Sequence, residues 1–122
     1  MADAAARFSE PDVICLGDYN ADNPRYYDEA LLDDVFPDSE CVIVIPDTAD
    51  TTVAGNPYTY DRIVLTTAAR EDFTGRWGVD EFDKTESFAA FGIEARQVSD
   101  HYPVWAEFYV DRDSDATPQE PE

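Results

Sequence analysis

Apolar residues fall into short runs separated by Pro, Asp and Gly, the pattern of a strand-rich domain. Residues 3–9 suggest a short helix, which Glu10-Pro11-Asp12 breaks. Val13 to Leu16 is a continuous apolar run, as expected of a strand covered on both faces. Asn23-Pro24 stops that element, and Tyr26 to Phe36 carries apolar residues at 27, 30, 31 and 35, near helical spacing. Pro37-Asp38-Ser39 reads as a turn, and Cys41 to Ile45 as a second buried strand ended by Pro46. Residues 47–58 form a polar loop, followed by a third strand over Tyr60 to Thr66.

The second half is less regular. Residues 67–98 show no clear period, and Trp77, Phe82, Phe88 and Phe91 are the expected anchors. Pro103 to Val110 is the last strand, with Val104, Ala106, Phe108 and Val110 on one face and Trp105, Glu107 and Tyr109 on the other. Residues 111–122 are acidic and Pro-containing and read as a disordered tail. The pattern predicts a single α/β domain before the tail, buried strands with one convincing covering helix. So few helices leave a sheet short of cover, and such a layer exposes apolar surface unless it finds a partner.

Charge changes the picture. The chain of 122 residues carries 28 acidic and 8 basic side chains, a net charge of −20, and Lys84 is its sole lysine. Aromatic content of 13% argues against a disordered polyanion. The composition suits a salt-adapted protein, since at about 1 M salt the Debye length shrinks to roughly 3 Å and self-repulsion is screened. It suits a nucleic-acid binder poorly, because phosphate affinity normally comes from lysine and arginine. Cys15 and Cys41 lie in apolar runs, where free thiols are expected. No apolar leader and no run of membrane-spanning length is visible, so the chain as given reads as cytoplasmic, or as secreted if it is part of a longer gene product.

Two segments carry candidate chemistry: Gly17-Asp18-Tyr19-Asn20-Ala21-Asp22, and Ser99-Asp100-His101-Tyr102-Pro103-Val104, which holds the single histidine. Each places carboxylates beside a carboxamide or imidazole where a strand meets a loop. Such groups can hold a divalent cation and a phosphate at one point. Asp18, Asn20, Asp22 and Glu29 also stand at EF-hand positions, but Asn23, Pro24 and the preceding strand oppose that reading.

The blocks GDYNAD (17–22), YDRIV (60–64) and SDHYPV (99–104), with Ile45 to Thr52 and Phe88 to Gly92, resemble in order the C-terminal half of the endonuclease/exonuclease/phosphatase family, nearest its deoxyribonuclease I branch. The resemblance covers residues 8–110 and implies that 1–110 form half of a four-layer α/β sandwich, a mostly antiparallel sheet with one or two covering helices. It implies phosphodiester hydrolysis, with DNA as the expected substrate and Mg2+ (or Mn2+/Ca2+) as the cofactor. It implies that Asp61 orients His101, that Asp18 and Asn20 position water and phosphate and touch metal, and that Asp100 is a metal ligand. Asn56, Tyr60 and Arg62 flank Asp61 and are expected to contact the phosphate backbone, although a salt bridge serves Arg62 equally well. The family's first half, with its metal-binding glutamate, is not found here, so a missing N-terminal half or a homodimer is the expected partner. The alternative is a non-catalytic half acting as a subunit or acidic binding module.

Overall fold

A computed structural model describes residues 3, 6, 7, 10–20, 34–53 and 58–111. Asn56, Asp22, Glu29, most of the helix expected over 26–36 and all of the tail beyond Asp111 lie outside these residues.

Three strands form the first sheet: β1 (Ile14–Asp18), β2 (Cys41–Ile43) and β3 (Asp61–Thr66), in the order β1-β3-β2 and antiparallel throughout. The central strand, β3, is Val/Ile/Leu-rich and buried along Arg62 to Leu65, as a strand covered on both faces should be. It runs directly into a short helix, α1 (Thr67–Arg70), whose N-terminus is capped by the Thr66 hydroxyl accepting from the Ala69 N–H.

A two-stranded ribbon follows, β4 (Phe73–Val79) and β5 (Val104–Phe108). β4 is absent from the hydropathy pattern because its alternation is broken. Phe73 pairs with Phe108, yet Trp77 pairs with Ala106, so β4 carries extra residues in a bulge. Gly75, at φ 89°, takes a backbone conformation there that a side chain would oppose. Between the ribbon strands lie a 3-10 turn (Phe82–Lys84), the helix α2 (Glu86–Ala89) and a second 3-10 turn (Ala95–Gln97).

The core sits between sheet and ribbon. Val44, Ile45, Ile63, Leu65 and Ala69 form its centre, and Phe73, Val104, Ala106 and Phe108 pack against it. The alternation expected for β5 therefore holds, with its apolar face inward.

Several expectations are corrected. The Val13 to Leu16 run is not covered on both faces. Among the described residues β1 is an edge strand, with Ile14 43% and Leu16 70% exposed. These side chains share the face of their partners Leu65 and Ile63, but the ribbon does not reach over them. Trp77 is not a core anchor and lies partly open on the ribbon, as does Trp105 on the outward face of β5. A Cβ on Gly78 would come within 2.7 Å of the Trp105 indole, so glycine there lets the ring lie against the strand. Phe82 anchors as expected, packing edge-on against Phe88 and Tyr102, whereas Phe91 is exposed. Cys15 and Cys41 are free thiols on strands separated by β3. No helix among the described residues is long and apolar enough to cross a membrane.

Candidate active site

The site lies where the ends of β1 and β3 meet the loop before β5. In antiparallel register, Asp18 stands directly opposite Asp61. Like charges in such a position oppose pairing. The His101 imidazole lies between them. Its Nδ1 is 2.8 Å from Asp61 Oδ2, and its Nε2 is 3.6 Å from Asp18 Oδ2. One ring thus ties together two carboxylates from two strands.

The loop is fixed to the sheet through Thr51 and Thr52. Thr52 and His101 form a β-bridge, flanked by Val53 N–H donating to the Asp100 carbonyl (2.9 Å) and Tyr102 N–H donating to the Thr51 carbonyl (2.8 Å). The buried Thr51 hydroxyl accepts from the backbone N–H groups of Tyr60 (3.1 Å) and Asp61 (3.2 Å). Thr51 therefore binds the backbones on both sides of the Asp61–His101 contact. Buried donors left unpaired are costly, so these bonds hold the geometry. The Ser99 hydroxyl accepts from the His101 N–H (3.1 Å). The adjacent Tyr102 is buried and its hydroxyl donates to Asp83 (2.8 Å). Burial, then that hydrogen bond, pushes its phenol up to about 12.

The hydrogen bond to Asp61 raises the His101 pKa above the ordinary 6.5. Partial burial opposes this, and the charges of Asp61, Asp18 and Asp100 add to it. The ring is therefore protonated over a wider range than a free histidine, with Nε2 lying 3.6 Å from Asp18 Oδ2. The Tyr60 ring stacks on Tyr58 at 5.3 Å and lies 6.3 Å from the imidazole. A cavity of about 520 Å3 opens at this place, lined by Thr52, Tyr60, Arg96, Ser99, Asp100 and His101.

Asp18, Asp61 and His101 each offer a ligand atom, all within 4.8 Å of one another. Asp61 Oδ2 is engaged by Nδ1, whereas Asp18 and Asp100 (3.9 Å) both lie towards Nε2. The carboxylates of Asp18 and Asp61, with Asp100 near the ring, are oxygen donors of the kind a hard divalent cation takes. Asn20 lies just beyond the strand. β1 ends at Asp18 and Asn20 adopts φ 51°, so the period-two alternation does not extend to it. Its N–H donates to Asp18 Oδ1 at 3.0 Å, an Asx turn that steadies the carboxylate.

Arg62 follows the second of its two expected readings, a salt bridge, but a buried one. It follows Asp61 on the strand and so points to the opposite face. Its side chain is fully buried, with Nη1 donating to the Ile45 carbonyl (2.6 Å) and Nη2 2.7 Å from Asp47 Oδ1. Sealed there, it cannot reach a phosphate at His101. Of the other expected backbone contacts, Tyr60 lines the cavity, and Asn56 is outside the described residues. Thr51, Ser99 and Arg96 were not singled out for a role from sequence. The Thr51-Thr52 pair fell inside a family-like block, but nothing in a sequence marks which hydroxyl will be buried.

No protein-family model matches the chain. Curated relatives do. The chain is 39% identical over 105 residues to deoxyribonuclease-1-like 1 of Bos taurus, covering 84% of this chain and 32% of that protein. It is 33% identical over 108 residues to deoxyribonuclease-1-like 2 of Homo sapiens (84% and 34%), and 30% identical over 104 residues to deoxyribonuclease-1 of Oryctolagus cuniculus (84% and 37%). The chain spans about a third of the length of the curated relatives it matches. With the Asp61–His101 pair set against Asp18, these matches identify the chain as a member of the deoxyribonuclease I-like proteins of the endonuclease/exonuclease/phosphatase superfamily, corresponding to their C-terminal region.

Proposed function

We propose that this chain supplies half of the active site of a divalent-metal-dependent phosphodiesterase that hydrolyses DNA. The observation carrying the reading is the Asp61–His101 hydrogen bond at 2.8 Å with Asp18 on the far side of the ring. Asp61 fixes the imidazole and favours its charged form, so that Nε2 can donate to a phosphoryl oxygen or pass a proton to the leaving oxygen. Asp18, steadied by the Asn20 N–H, orients the attacking water, and the Asn20 carboxamide is a donor for phosphate. Asp18 and Asp100 would hold Mg2+, Mn2+ or Ca2+, which supplies neutralisation of charge as the phosphorus is attacked. Tyr60 and Asn56 are placed in the phosphate-backbone contact set.

Names of the relatives support DNA as substrate, since those proteins are deoxyribonucleases. Plasmid nicking in molar KCl with Mg2+ or Mn2+ tests the reading. The expected result is metal-dependent nicking that Asp61→Ala/His101→Ala abolishes. Nicking that survives the double substitution refutes it.

A second reading has its own support. The exposed Leu16 and Ile14 continue the apolar face of β3 beyond the ribbon, and the chain spans a third of its relatives. Here the chain is a subunit whose site is completed only by an N-terminal half, and it is inactive without it. Restoration of nicking on adding the N-terminal part of a relative separates this case from a non-catalytic acidic binding module.

A further inference from the structure

Eight cations face 28 acidic groups in this chain, so the arginines that stand outside any ion pair among the described residues, Arg70 and Arg96, are unusual. Arg62 pairs with Asp47, Arg76 with Glu107, and Lys84 with Glu81. Arg96 is exposed and makes no ion pair among the described residues. It lies on the wall of the cavity that also holds His101 and Ser99.

Its backbone is not loose. Arg96 sits in the 3-10 turn Ala95–Gln97, where a capping box joins Glu94 and Gln97. The Val98 and Ser99 N–H groups both donate to the Ala95 carbonyl, at 2.9 and 3.0 Å. Ser99 in turn accepts from the His101 N–H. A short chain of backbone and side-chain bonds therefore fixes the spacing between the Arg96 Cα and the imidazole. A guanidinium is suited to this place because its planar fork matches two phosphate oxygens. The cavity, at about 520 Å3, is larger than a single phosphate group needs and falls within the range of small-molecule sites.

We propose that Arg96, with the Ser99 hydroxyl beside it, forms a second phosphate subsite, which takes the phosphodiester next to the one held at His101. The subsite rests on the phosphodiesterase reading above and makes it more specific: the substrate is a polyanion with phosphates in series, a polynucleotide, and not a phosphomonoester. Arg96 is a substrate-binding residue and moves no proton.

The test is binding of a fluorescein-labelled DNA duplex to the full chain across a KCl series, without divalent cation so that nothing is cut. Arg70 provides the control: it is exposed, it makes no ion pair among the described residues, and it lines a different cavity beside Cys41 and Asp47. Its loss changes the net charge equally. Arg96→Ala is expected to weaken binding about fivefold and to reduce the slope of log K against log salt by about 1, with Arg96→Lys retaining the slope and Arg70→Ala leaving it unchanged. Equal, small effects of Arg96→Ala and Arg70→Ala overturn the subsite. If His101→Gln still weakens binding in that case, the main site stands without it. Failure of the unmodified chain to bind DNA at any salt overturns the subsite and the substrate assignment together.

Discussion

Two consecutive residues of β3 make ion pairs on opposite faces of one sheet, and they differ in almost everything else. Arg62 is sealed from solvent, held by the Ile45 carbonyl and Asp47. Its Nε finds no hydrogen-bond partner among the described residues, and Nη2 meets Asp47 off the line of a hydrogen bond. Asp61, one residue earlier, is only partly buried and meets an imidazole whose second nitrogen lies 3.6 Å from Asp18. A strand's alternation thus divides structural charge from chemical charge. A cation removed from water contributes to folding only through its neighbours, whereas one at the rim can change partners and carry a proton.

Substitutions at the two faces should separate cleanly. Arg62→Ala is expected to cost about 3 kcal/mol, since it removes a buried cation and leaves the Ile45 carbonyl unpaired. Arg62→Met should cost far less, because it keeps the volume without a charge to desolvate. Urea unfolding of both variants checks this, and equal losses would show that the charge itself is needed. Asp61→Asn should leave the urea midpoint nearly unchanged but lower nicking by about 100-fold or more, the usual worth of a positioned acid–base group. A midpoint loss as large as that of Arg62→Ala would erase the distinction between the faces.

Thr51→Val comes next in size. The valine leaves the Tyr60 and Asp61 N–H groups without their acceptor, at about 1–3 kcal/mol. Its mark should appear on both sides of the site, as faster amide exchange at Tyr60, Asp61 and Tyr102. The smallest effect is on pH dependence. The folded His101 pKa is raised, so its pairing stabilises the fold fully below the ordinary value near 6.5, and that contribution disappears as pH rises through the folded pKa. The stability gap between the parent chain and Asp61→Asn should therefore narrow from mildly acidic to alkaline pH. A gap that widened would mean that the imidazole is held neutral.

Much of this was legible from residues. The apolar run over Tyr60 to Thr66 announced the central strand, and the SDHYPV block marked His101 as more than a surface histidine. The same strand reading places Asp61 and Arg62 on opposite faces, and would have removed Arg62 from the phosphate contacts. β4 was hidden for a physical reason. Its bulge at Gly75 shifts the register, so Phe73 and Trp77 do not share one period. The exposure of β1 was hidden too. Whether an apolar strand is central or at an edge depends on its neighbours, and the run Val13 to Leu16 carries no trace of them. Arg96 was hidden because its distinction is its place on the cavity wall beside His101, which chain order alone does not show.

Asp18 stands at the tip of β1, whose far backbone edge pairs with nothing among the described residues. An open edge recruits another strand. A strand docked there would cover Leu16 and stiffen the segment that presents Asp18 in a single event. Catalysis would then inherit the kinetics of association. Specific activity would climb with protein concentration instead of staying constant, and dilution would silence the enzyme while each chain was still folded.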